Sequence, residues 1–295
     1  VLTRPDHPSH PVGDLTALAT VCAGLAALLS LTAPASAPAA EQLQAEPGGA
    51  AGAAAPSRPD WFAIPVAYYM PETRFGYGAI GGVHFRLEPG LQISDVQAMA
   101  TATVKAQAAL DLRTQLFLSE HLAVGGALRL SVYPDLFYGV GAATPASAKE
   151  AFTSRSLDLQ ITPEWYLVPG RLRTGPRVWF RRETFRDLAP GGALASSGAP
   201  GLDGYSATGL GWSVTWDSRD SRFAPRSGSA VEAWYVLAPG LLGDRLHLGR
   251  AAIDARQFVP LAWSMVLGLA GHLELAHGDV PITLLPKLGG DKNLR

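Results

Sequence analysis

The chain holds a single cysteine, Cys22, and it falls in an apolar stretch near the N-terminus. A disulfide framework is therefore excluded. Once that stretch is removed by processing, the chain has no thiolate metal site and no cysteine nucleophile. Neither sign of charge is in excess: 24 Lys and Arg against 25 Asp and Glu give a formal net charge of −1. No basic field points to nucleic acid. Beyond the N-terminal stretch no run is long and apolar enough to cross a bilayer as a helix. Neither G-x-S-x-G nor H-E-x-x-H occurs, so an elbow-type serine hydrolase and a zincin both lack support.

What is present is alternation. Nearly half the residues (47%) are hydrophobic, but they are dispersed rather than clustered. Residues 15–31 are apolar and uncharged and are followed by small residues over 33–39, which reads as a signal peptide spanning 1–39. Residues 40–60, rich in Ala, Gly and Pro, read as a flexible periplasmic linker. Then come eleven segments with apolar residues at every second position. In the fourth, Leu110, Leu112, Leu116 and Leu118 oppose Asp111, Arg113 and Gln115. In the sixth, Leu157, Leu159, Ile161 and Trp165 oppose Asp158, Gln160, Thr162 and Glu164. The eighth sets Leu210, Trp212, Val214 and Trp216 against glycine, serine and threonine; the eleventh is placed from Trp263 and Met265 onward. A helix would need apolar spacings of three and four.

Period two with one polar and one apolar face predicts an all-β, transmembrane antiparallel β-barrel over residues 61–295. Lipid on one side makes a charge there cost about 2–4 kcal/mol at the midplane, so the polar parity marks the lumen. The first strand runs outward from the periplasm. Odd-to-even connections are then extracellular and long, as between segments five and six, where the loop takes in Pro134 and Pro145, and over 190–204. Even-to-odd turns are short, as at 119–121; the short link after segment three and the long turn at 218–228 are exceptions. Trp61, Tyr68, Tyr69, Trp165, Trp216 and Trp263 fall near segment ends, as an interfacial girdle would. An odd strand count leaves an unpaired edge in lipid, so the chain is expected to be a C-terminally truncated fragment.

These residues resemble the Omp85 superfamily barrel, the bacterial surface antigen D15 domain. Pro71-Glu72-Thr73 resembles a signature of its first outer loop, and Phe137-Tyr138-Gly139-Val140-Gly141 one of its third. Asp217, Arg219, Asp220, Pro225 and Gly228 resemble the D-x-R-D…P-x-x-G turn after the eighth strand. Gly289, Gly290 and Arg295 resemble the start of the sixth outer loop and its arginine. The resemblance covers about 61–295, or eleven of the family's sixteen strands. It implies a sixth loop folded back into the lumen, where its arginine meets acidic residues on later strands. It implies the bacterial outer membrane as location, membrane lipid and nascent outer-membrane proteins as partners, no cofactor and no bond-making chemistry. Many members carry periplasmic POTRA domains; with only the short linker, this chain resembles the branch without them.

Other groups read more plainly. Gly76 to Gly81 matches G-x-G-x-x-G, but no helical pattern follows, so it reads as a glycine-rich strand rather than a dinucleotide loop. The lumen charges Arg177, Arg181, Arg250, Asp254 and Arg256 read as cross-strand pairs that stiffen the wall, or, in the alternative, as the selectivity determinants of a pore. His272 and His277 with Glu274 are the candidates for a hydrolase at the outer rim. The expected function is outer-membrane protein assembly or translocation; a client-free structural or pore-forming barrel is the alternative.

Overall fold

The computed structural model describes residues 59–286, apart from 71–72, 140–148, 223 and 245. All of them lie in the second of the chain's two units, Gly52–Arg295. The signal peptide, nearly all of the linker, Pro71, Glu72, Val140, Gly141, Gly289, Gly290 and Arg295 lie outside the described residues.

Alternating side chains build strands because a period of two puts one chemical type on each face of a pleat. Eleven result: β1 Asp60–Met70, β2 Arg74–Phe85, β3 Ser94–Thr103, β4 Ala108–Phe117, β5 Leu122–Phe137, β6 Glu150–Val168, β7 Leu172–Arg186, β8 Tyr205–Asp217, β9 Gly228–Pro239, β10 His247–Pro260 and β11 Val266–Gly278. They form one sheet in chain order, each antiparallel to the next. In that sheet β1 pairs only with β2, and β11 only with β10.

Register keeps the two chemistries apart. Asp111, Arg129, Asp158 and Arg181 lie side by side across β4 to β7, charges alternating in sign. The adjacent row runs Leu112, Leu128, Leu159 and Phe180. A one-residue slip would carry the charged row onto the apolar face, so the pattern pins the register. Burial is inverted relative to a water-soluble sheet. On β6 Ser154, Thr162 and Glu164 are buried while Ile161 and Trp165 are exposed; on β8 Ser213 and Thr215 are buried while Leu210 and Trp212 are 54% exposed. The polar side is the inner face. The apolar side forms one continuous outer face far larger than scattered surface hydrophobes.

Two sequence expectations are corrected. Residues up to Phe137 are not loop: β5 continues through Pro134, which sits opposite Thr153 of β6. Beyond Val132 β5 has outrun β4, so the side of Pro134 that lacks an N–H has no ladder to serve. The Pro134 carbonyl on that side accepts instead from Gln107 Nε2 at 3.1 Å. Trp263 and Met265 are likewise not in the eleventh strand. Residues 262–264 form a single 3-10 turn with Trp263 and Ser264 at positive φ, and β11 starts at Val266.

Candidate functional site

The inner face of β6 to β11 is a wall of paired charges interleaved with tryptophan. Arg173 Nε donates to Glu164 Oε2 at 2.7 Å, and Glu164 Oε1 accepts from Thr215 at 2.8 Å and Ser213 at 3.2 Å. Arg177 reaches Glu232 at 3.1 Å and lies over the Trp234 ring at 4.4 Å. Arg250 pairs with Glu274 and lies over Trp179 and Trp234. Arg256 pairs with Asp254 at 3.0 Å. Trp179 is 4% exposed and donates from Nε1 to Asp158 at 3.1 Å. Gly209 makes room for it: a Cβ there would stand 3.0 Å from the indole and 2.4 Å from Val236.

At the end of the sheet where β7 finishes and β8 begins, called here the upper end, the wall carries an apolar pad. Trp179, Tyr205, Ala207, Val236, Ala238, Leu246 and Leu248 form it, and Leu284, from the segment after β11, seals it. That segment turns back onto the inner face. Pro281 is fully buried, and Asp279 N–H bonds the His247 carbonyl at 2.8 Å. Thr283 Oγ1 donates to Glu183 Oε2 at 2.6 Å. Glu183, 1% exposed, is the hub: the same oxygen accepts from Tyr205 Oη at 2.6 Å and from Arg181 Nη2 at 3.0 Å. A buried carboxylate is tolerated when its lone pairs are filled in this way.

At the lower end the turn 218–227 is held by its own acids. Arg219 forks onto Asp217, Nη2 to Oδ2 at 2.7 Å and Nε to Oδ1 at 2.9 Å, and this bond holds the Arg219 guanidinium above its ordinary pKa. Asp220 Oδ1 accepts from the N–H groups of Arg226 at 2.9 Å and Ser227 at 3.2 Å. Pro225 is half-buried just before Arg226. Gly228 closes the turn at φ +94°, where a Cβ would lie 2.3 Å from the Ser218 carbonyl oxygen. Arg222 projects from this turn to the start of β3 and the end of β4. Its Nη1 donates to the Ile93 carbonyl at 3.3 Å, its Nη2 stands 3.5 Å from Asp95, and its guanidinium lies over the Phe117 ring at 5.0 Å. Burial pushes its pKa below the ordinary value.

The backbone bonds to Asp220 hold its carboxyl below the usual range. A depressed folded value means that its contribution is complete above the unfolded carboxylate pKa, about 3.9, and is lost as pH falls through the folded value. Limited proteolysis of residues 218–227 is therefore expected to accelerate below about pH 4 in the native chain. In Asp220→Asn it should be fast already at neutral pH and show little acid dependence. Equal pH profiles would count against this account.

The expected turn residues Asp217, Arg219, Asp220, Pro225 and Gly228 thus meet in one turn, and Arg177, Arg181, Arg250, Asp254 and Arg256 share one wall. The two rim histidines do not meet. His272 lies on the inner face between Asp254 and Glu274, at 3.7 and 4.0 Å. His277 is on the outer parity and stacks on Tyr235. Among the described residues no three His, Cys, Asp or Glu side chains converge as metal ligands would. Thr283, Tyr205 and Arg222 were not picked out by the sequence reading. The apolar Val280-Pro281-Ile282-Thr283-Leu284 inside an expected water-facing loop was the available signal for the first.

Residues 193–295 match the Omp85 superfamily domain. The crystal structure of BamA from Haemophilus ducreyi lacking POTRA domains 1-3 matches with a TM-score of 0.52 at 14% identity, over 80% of this chain and 45% of that one. The chain thus spans just under half the length of that relative, and the likeness is one of fold. No curated protein matches. The chain resembles the Omp85 superfamily in the domain that covers its C-terminal third and in its barrel-wall architecture.

Proposed function

We propose that this chain forms part of an Omp85-type β-barrel in the bacterial outer membrane and acts there in the assembly or translocation of outer-membrane proteins. The observation that carries the reading is the inverted burial: a polar, ion-paired inner face and a continuous apolar outer face fit hydrocarbon outside and water within. The upper end, which carries the two longest connections, 138–149 and 187–204, is the extracellular side, and the lower end faces the periplasm. Client strands are received at the free edge of β1, where strand addition satisfies unpaired backbone groups. Pro65, at the middle of that edge, removes one donor and weakens the seam.

Single cysteines along β1, from Phe62 to Tyr68, are expected to crosslink to nascent barrel proteins with a periodicity of two. Cysteines on β5, flanked on both sides, are not. Absence of β1 adducts would overturn the client-handling role. The alternative is a client-free pore, whose path the segment seated on Glu183 and the Arg222 contact to Ile93 would narrow. A steady, large conductance in planar bilayers that charge reversal at Arg177 alters would support it.

A further inference from the structure

Three arginines break the apolar pattern of the outer face. Arg155 shares the parity of Leu157, Leu159 and Ile161 on β6; Arg182 and Arg186 share that of Val178 and Phe180 on β7. Register places Arg155 opposite Thr184 and Arg182 opposite Leu157, so the two are diagonal neighbours. All three are exposed, and none makes an ion pair or side-chain hydrogen bond among the described residues. On the inner wall, by contrast, Arg173, Arg177, Arg181 and Arg250 each reach a carboxylate. Two carboxylates stand near the outer trio and both are engaged: Asp187 accepts from Thr153 Oγ1 at 2.8 Å, and Asp244 from Ser206 Oγ and, at 2.6 Å, from Thr208 N–H.

Their depth is defined. From Leu157 to Leu167 β6 covers about 33 Å along the strand at 3.3 Å per residue. With the usual barrel tilt that becomes a height of about 25 Å, the thickness of an apolar barrel band. Arg155 is the next outward position beyond it, and Arg182 stands level with its edge. Arg155 and Arg182 themselves line a shallow depression of about 560 Å³ on the same face, with Ala100, Leu110 and Leu130 in the register row of Arg182 and Ala108 and Val132 in that of Arg155.

Resting on the membrane reading above, we propose that Arg155 and Arg182, with Arg186 at their edge, bind the phosphate headgroup of a lipid in the outer leaflet, one acyl chain lying along the depression that they line. Like charges on diagonal neighbours repel at a boundary where water screens poorly. A phosphate between them removes the repulsion and accepts the two forks bidentately. The apolar lining beside them selects a lipid over a free anion or an acidic peptide.

The test folds the full chain into neutral-lipid nanodiscs doped with diphosphoryl lipid A and weighs retained lipid by native mass spectrometry. The R155Q/R182Q variant is expected to retain at least roughly ten-fold less. The R155K/R182K variant, which keeps charge but loses the forks, should fall between. Dephosphorylated lipid should be retained equally, and weakly, by all. Heat-modified gel mobility reports folding; where the glutamine variant does not fold, the lysine variant and the dephosphorylated lipid carry the test. Equal retention by folded native chain and variant overturns the proposal. So does full displacement of the lipid by millimolar inorganic phosphate, which would reduce the site to an anion site. Failure of the native chain to enter bilayers at all sinks the membrane reading itself, a different result from insertion without lipid selectivity.

Discussion

Ile161→Arg is expected to cost about 2–4 kcal/mol of folded stability in a bilayer. Ile161 is 44% exposed and sits close to the centre of the outward apolar run on β6. On the surface of a water-soluble protein the same change would stay within about 0.5 kcal/mol, because an exposed isoleucine loses little on becoming arginine. In hydrocarbon the guanidinium must drag water inward or snorkel to the rim, and at this depth neither is cheap. Leu167→Arg, at the lower edge of the same face, should cost no more than about 1 kcal/mol, since the penalty fades toward the interface. The measurement is reversible unfolding in phospholipid vesicles followed by tryptophan fluorescence. A depth-dependent penalty supports the lipid-facing assignment. Equal small effects at both positions would show that the outer face meets water or protein.

Glu183→Ala is expected to destabilise the folded wall by about 3–5 kcal/mol, the usual result of removing one partner from a buried ion pair. Tyr205 and Thr283 would lose their acceptor and Arg181 one of its two carboxylates, with Asp158 left to it at 3.1 Å. Thr283→Val separates the two roles of the hub. It leaves the Arg181–Glu183–Tyr205 set intact and cuts only the tie to the segment after β11. The expected loss is about 1 kcal/mol, one hydrogen bond's worth. Protease sensitivity should rise in residues 279–286 while the strands stay protected. If Thr283→Val left that segment as resistant as before, the apolar contacts of Pro281 and Leu284 would be sufficient to seat it.

The middle of the sheet was legible in the amino-acid sequence, and the reasons are physical. Through the middle of β4 to β6 the outward row is Leu110, Leu112, Leu128, Leu130, Leu157 and Leu159 while Asp111, Arg129 and Asp158 point inward, so parity specifies face and register there. On β1 and β2 the rule weakens. Ala63, Pro65 and Ala67 point outward while Phe62, Val66 and Tyr68 point inward over glycines of β2, such as Gly76 and Gly82. Both faces carry large apolar or aromatic side chains there, Trp61 and Tyr69 outward and Phe62 and Tyr68 inward, so a polarity pattern cannot tell them apart. Pro134 was misread because a proline is a breaker only where its missing donor is needed. Trp263 extended the alternation by coincidence: it stands at positive φ in the turn before β11, outside the pleat. The ion partners were a matter of register and so could be anticipated in kind but not by name: Arg177 finds Glu232 two strands away. The Arg222 contacts, by contrast, join residues more than a hundred positions apart and leave no local trace.

That long-range contact has a mechanical meaning. The turn after β8 is tied by Arg222 to the start of β3, across five strands of a sheet whose outermost edges are otherwise free. A curved sheet with free margins can flatten, and a brace across its lower rim fixes the radius there whatever the margins do. At the upper rim the tie from Thr283 to Glu183 reaches from the segment after β11 only as far as β7, and none of the described side-chain bonds carries it on to β1–β4. Strain applied at the β1 margin would therefore splay the wall like a fan held at its pivot, wide at the top and unchanged at the base.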